Sequence, residues 1–440
     1  MAANTSGDDP DDRDAGDADR DPRDEMPPDP FGPDDPSLAD IGSDASAAAT
    51  AAAGPGDAFA GMGMFGSLFG DLSRQLAAQG PLSWDTARQT AVWAATEGRP
   101  ESNVDPIERI KIEELCRVAE MHVADATGLD VSDGGRGVLI ETVTRAQWAA
   151  RFLDEQRPLL EGLASALATP PGQTAEPGDP TADLFAGMLR MMGPALLGMQ
   201  AGGLAGHLAR RCVGSYDLPL PRPTGAGLLF VPINLAAFAS DWSLPLDSVR
   251  MRTCLVELTH HAVFRIPHVH ERLSTLLRRF ASSYRVDPSA FEEQLASVDP
   301  SDPATLQRVL GDPQAMLGAI TSPEQGRLRT EIDAIVGATV GYVDHIVERT
   351  SSRLIGGDSQ LAEAMRRQRI EAGGADRMAE RLLGLTLDRA LFDRGGAFVS
   401  GVVERAGDDG LARLWASADS LPTPAELDAP GLWLARLDLG

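Results

Sequence analysis

Val256-Glu-Leu-Thr-His-His-Ala-Val-Phe-Arg-Ile-Pro-His-Val-His-Glu271 gathers four of the chain's seven histidines, His260, His261, His268 and His270, into one short stretch. Glu257 and His260 stand three apart, so on a helix their side chains leave the same face one turn from each other. Pro267 ends that helix, because proline offers no backbone N–H and its ring crowds the preceding turn. The pair alone is weak evidence. Acidic residues occupy about one position in seven of this sequence, so an acid three residues ahead of some histidine arises roughly once by chance. Elsewhere the chain has no G-x-S-x-G elbow, no P-loop, no glycine fingerprint for a dinucleotide after a strand and no cysteine-centred metal motif.

Around that stretch the composition favours helices. The 440 residues are 43% hydrophobic but only 5% aromatic, and Ala, Leu and Gly are abundant, so the expected class is mainly α with a small sheet, α+β in the broad sense. A formal charge of −26 argues against nucleic acid as a partner, since phosphate-binding surfaces need clustered Lys and Arg. The first 57 residues hold 16 of the acidic side chains against three arginines, with hardly a large apolar residue among them. Such a segment cannot bury enough surface to offset its ordering entropy, so 1–57 is expected to be a disordered acidic tail. Three widely spaced cysteines, Cys116, Cys212 and Cys254, read as reduced and buried, and Met1–Asp24 lacks a signal peptide's basic and apolar regions. Both point to the cytoplasm.

Residues 58–79 carry Phe59, Met62, Phe65, Phe69 and Leu72 at helical spacing, predicting a short amphipathic helix. The body is expected over 80–440, with helix starts at Ser83 and at Asp105-Pro106, a helix from Thr144 to about Leu163, and a linker at Thr169–Asp179. Leu184–Ala209 is apolar and carries Gly198, Gly202 and Gly206 at four-residue steps, but Arg190, Pro194, Gln200 and His207 interrupt it. Packing of buried helices is expected there, with no stable membrane insertion. Asp217–Pro223 and Leu228–Pro232 read as extended segments of a two- or three-stranded patch. Helical patterns return from about Leu246.

Leu255-Val-Glu-Leu-Thr-His-His resembles the Leu-His-Glu-x-x-His-His helix of a zincin-like family of actinobacterial proteins, assigned as zinc-dependent metalloproteases or hydrolases. Gly80-Pro-Leu-Ser-Trp-Asp, Thr144-Arg-Ala-Gln-Trp and Gly214-Ser-Tyr-Asp-Leu-Pro-Leu-Pro resemble three further motifs of that family. So do Thr321-Ser-Pro-Glu-Gln, Gly341-Tyr-Val-Asp-His, Met365-Arg-Arg-Gln-Arg and Leu421-Pro-Thr-Pro-Ala-Glu-Leu, so the likeness runs from about Gly80 to Arg436.

The resemblance implies a zincin-like metalloprotease fold and assigns roles by position. In His-Glu-x-x-His the two histidines bind zinc, the Glu activates the bound water, and a later helix supplies a third ligand. Here the first histidine falls on Val256, the general base on Glu257 and the second ligand on His260. The third ligand, a Glu in a Glu-Gly-x-x-Asp pattern, falls on Val340, with Gly341 and Asp344 kept and Asp344 implied to orient a metal-bound histidine. Valine cannot coordinate, so zinc, the family's cofactor, is not expected to bind. Glu257 should then need an interior partner, and His260 is the expected one. Arg366, Arg367 and Arg369 are expected on a solvated helix face, a clamp for a substrate carboxylate being the alternative. The expected function is that of a catalytically degenerate member binding a peptide or protein. Two alternatives stand beside it: an active metallopeptidase recruiting His261, His268, His270 or Asp344, and a regulatory partner of an intact paralogue.

Overall fold

Local signals set the N-terminal helices. Helix α1 (Trp84–Thr96) follows Ser83 as expected, but the Ser83 hydroxyl makes no capping bond to the backbone and lies 2.9 Å from Thr86 Oγ1 instead. Helix α2 (Pro106–Thr127) starts where the Asp105 carboxylate accepts the Ile107 N–H at 2.8 Å, and it stops at Gly128, whose φ of 66° suits glycine. Asp105→Ala should therefore cost about 1 kcal/mol. An unchanged urea midpoint would refute that role for the cap. In the computed structural model the described residues are 80–132, 135–168, 180–284, 323–354, 356, 359–371 and 373–439. The expected tail, the helix at 58–79 and the linker at 169–179 lie outside them.

The single helix expected from Thr144 to Leu163 is two. Helix α3 (Arg145–Glu155) opens with a reciprocal capping box between Thr144 and Gln147, and α4 (Arg157–Ala168) follows after Gln156. Pro158 accounts for the break, because it removes an N–H and disfavours helical geometry in the residue before it. Strand β1 (Ile140–Thr142) precedes α3 and pairs in parallel with β2 (Leu228–Phe230), Ile140 opposite Leu228. Gly214 adds an isolated antiparallel bridge to Phe230. The sheet thus has two strands, and its first was not expected. Asp217–Pro223 forms none, since Pro219, Pro221 and Pro223 cannot donate to a ladder.

Between the strands lies α5 (Pro180–Ala209), whose glycines press on α1: an added Cβ at Gly198 or Gly202 would overlap the carbonyl oxygen of Ser83 or Ala87. No helix among the described residues is long and apolar enough to cross a membrane. After β2 come α6 (Pro232–Asp241), α7 (Leu246–Phe264) and α8 (Pro267–Ser282), in which Pro267 opens the next helix as well as ending the last. The remainder is α9 (Pro323–Leu354), α10 (Ser359–Ile370), α11 (Gly374–Leu382), α12 (Arg389–Ala412), α13 (Pro424–Leu427) and α14 (Pro430–Leu439).

Helix α7 is buried on every side from Val249 to Phe264, as a central helix must be, and α2, α6, α8 and α9 pack around it. Helices α9 and α12 touch backbone to backbone, where a Cβ on Gly341 would overlap Gly395 and one on Gly395 would overlap Gly337. Gly341 therefore has a packing role. All three cysteines are free and buried, as expected.

Candidate functional site

Glu257 leaves α7 toward the turn 213–217 and is 1% exposed. Its carboxylate accepts the Ser215 N–H at 2.8 Å on Oε2 and the Tyr216 N–H at 3.0 Å on Oε1. The turn is braced from two more directions. Asp217 Oδ2 accepts the N–H groups of Val213 and Gly214 at 2.6 and 2.8 Å, and Trp148 Nε1 donates to the Gly214 carbonyl at 2.8 Å. Gly214 is required there, because an added Cβ would overlap the Glu257 carboxylate. Burial, and after it the Asp217 charge, push the Glu257 carboxyl up to about 8, while the two backbone N–H groups act the other way.

The expected Glu257–His260 pair does not form. His260 Nδ1 lies 2.9 Å from the Val256 carbonyl, which can only accept, so Nδ1 carries the proton and Nε2 the lone pair. The ring stacks on Tyr216 with centroids 5.6 Å apart, and Phe264 lies at 6.0 Å on the same helix face. Nε2 is buried without a hydrogen-bond partner among the described residues. Burial lowers the imidazole to about 4, so it is neutral at pH 7. The competing partners explain why: both Glu257 oxygens face the turn, and the i−4 carbonyl is nearer to hand for His260.

Val256 from α7 and Val340 from α9 line one small cavity of about 30 Å³ with Glu257, His260 and Arg369. That volume is on the order of a single water. The positions aligned by the sequence resemblance are thus brought together across two helices. Among the described residues, no group of three or more His, Cys, Asp or Glu side chains could hold a metal ion. His261 turns its Nδ1 to within 3.5 Å of the Tyr216 hydroxyl, while His268 and His270 sit on the first turn of α8.

Asp344 is half-exposed and accepts from Arg369 Nη1 at 3.0 Å. Arg369 departs from the expected solvated face: its guanidinium lies 5.7 Å over the Phe392 ring and reaches the cavity wall. Arg366 and Arg367 keep to that face, both paired with Glu363. Sequence reasoning missed the turn that encloses Glu257. Its signal was the Gly214-Ser-Tyr-Asp motif itself, a glycine beside a residue type that binds nearby backbone N–H groups.

A family model described as zincin-like metallopeptidase matches residues 82–434. A crystal structure from Chloroflexus aurantiacus, described as "a putative hydrolase with a novel fold", is similar at a TM-score of 0.55 and 24% identity, over 82% of this chain and 99% of that one. At that identity the likeness concerns the fold alone. No curated protein matches the chain.

Proposed function

The chain belongs to the zincin-like metallopeptidase family, and from that membership we propose that it is a member without the family's metal chemistry, acting by binding a peptide or protein. The observation that carries the reading is the shared cavity: Val256 and Val340 stand beside the one retained imidazole, His260. Zinc takes three protein ligands and a water in a catalytic site, and one imidazole between two hydrocarbon side chains does not fit it. Glu257 points the same way. Both of its oxygens are engaged by backbone N–H groups of the turn 213–217, which ties the side chain to the fold. Glu257 and His260 are then structural groups, and Asp344 serves to hold Arg369. Rescue of activity by other ligands draws no support from His268 and His270, which join no metal-holding group among the described residues. The excess of acid argues against nucleic acid, and three buried free thiols suit the cytoplasm.

Metal analysis of chelator-washed, zinc-reconstituted full-length protein tests this. The wild type should hold background zinc, and the Val256→His, Val340→Glu double variant should approach stoichiometric zinc. Near-stoichiometric zinc in the wild type would overturn the reading.

A further inference from the structure

A cleft of about 560 Å³ adjoins the valine-lined cavity and shares Gln368 with it as a wall. Its size falls within the range of small-ligand sites. Most of its cations are already neutralised. Arg211 and His207 both reach Asp376, and Arg210 pairs with Glu97 at 2.6 Å. Arg145 differs: it makes no ion pair among the described residues, and its Nε donates to Asn234 Oδ1 at 2.7 Å.

Asn234 is 4% exposed and cannot turn its amide round, since Nδ2 gives its two hydrogens to the carbonyls of Ala209 and Cys212 at 2.9 and 2.6 Å. A buried, fully satisfied amide therefore holds the guanidinium by its inner nitrogen. The outer pair, Nη1 and Nη2, has no partner among the described residues, and Arg145 lines the cleft. Such a pair matches the two oxygens of a carboxylate. Phe238 and Trp242, ring centroids 6.2 Å apart, supply an apolar wall to the same cleft. Asp241 and Glu371 are exposed and also line it, so the field disfavours a dianion such as phosphate and favours a single carboxylate with a cationic or neutral remainder. Arg145 belongs to the Thr144-Arg-Ala-Gln-Trp motif, whose Trp148 braces the Glu257 turn. One helix end thus joins cleft and cavity.

We propose that this cleft binds the carboxylate of an α-amino-acid unit, with Arg145 as bidentate anchor, Asn234 as its positioning residue and the Phe238–Trp242 wall receiving the side chain. The unit can be a peptide C terminus or a free amino acid. The proposal deepens the binding role given above and rests on it for the choice of peptide.

Calorimetric titration of the full-length protein with N-acetyl-Ala-Phe, its C-terminal amide and free phenylalanine is the test. The acid should bind at least roughly tenfold more tightly than the amide, as loss of a charge-assisted pair implies. Arg145→Ala should lose a similar factor, Arg145→Lys less, and Arg210→Ala, whose cation is already paired, nothing. Asn234→Ala should weaken the acid while leaving the amide as it was. Tighter binding of the peptide than of phenylalanine identifies a peptide terminus, and the reverse identifies a free amino acid; either supports the site. Equal affinity for acid and amide, no binding of any probe at millimolar concentration, or an Arg145→Lys protein that melts normally yet binds like Arg145→Ala and Arg210→Ala alike would overturn it. Zinc in the wild type would defeat the metal-free reading while leaving this result untouched.

Discussion

Glu257→Ala is expected to destabilise the protein by about 3 kcal/mol, because it leaves the buried N–H groups of Ser215 and Tyr216 without an acceptor and opens a void beside α7. A carboxylate kept for catalysis would behave otherwise. A general base held over a water is commonly removed at little cost in stability, so the size of the loss separates a structural Glu257 from a catalytic one. Urea denaturation at fixed pH provides the number, and a loss below about 1 kcal/mol would speak for the catalytic alternative.

The same side chain predicts a pH dependence. Its folded value, about 8, lies above the ordinary 4.5, so the folded state binds the proton more tightly than the unfolded chain. Its contribution is complete below about pH 4.5 and is lost progressively as pH rises toward 8, by at most about 1.4 kcal/mol per pH unit. Glu257→Gln cannot ionise, so the stability of the wild type minus that of this variant should fall across that window. A difference that stays level from pH 4 to 9 would show that burial does not hold the proton.

Gly202→Val should produce the other large effect. A Cβ there would overlap the Ala87 carbonyl oxygen, and backbone has no rotamer by which to withdraw. Helices α1 and α5 must separate, at a cost of about 3 kcal/mol or more, near the upper end for overpacked cores. Gly203 in the same helix has nothing within 4 Å of such an atom, so Gly203→Val tests helix propensity alone, in which valine slightly exceeds glycine, and should be close to neutral. Comparable melting temperatures for the two variants would contradict the close approach.

What could be read in advance follows from how local each determinant is. The Asp105-Pro106 start and the small-residue face of α5 depend on neighbours in sequence, and they stand as expected. The mainly helical class and the small sheet were legible for the same reason. β1 was not, because three half-buried residues carry no usable alternation and their partner lies far along the chain. The candidate site divides similarly. That Val256, His260 and Val340 would meet followed from a resemblance of motifs, whereas the partners of Glu257 depended on a turn from another part of the fold. Arg369 was misplaced because Arg366, Arg367 and Arg369 look alike in sequence. Only the positions of Glu363 on one side and of Asp344 and Phe392 on the other distinguish them.

The parallel pairing of Ile140–Thr142 with Leu228–Phe230 governs the order in which this protein can be assembled on the ribosome. About 90 residues separate the two strands, so at synthesis rates of about 5–20 residues per second the first waits on the order of ten seconds for the second. Glu257 is translated later still, and until it arrives the amides of Ser215 and Tyr216 have no carboxylate to receive them. The nascent chain therefore holds an unpaired strand and an open turn while α1, α3 and α5 can already associate. Closure of the turn by α7 is a late, long-range event, and variants at Glu257 or Gly214 should betray themselves in the yield of soluble protein during synthesis at elevated temperature before any binding assay is run.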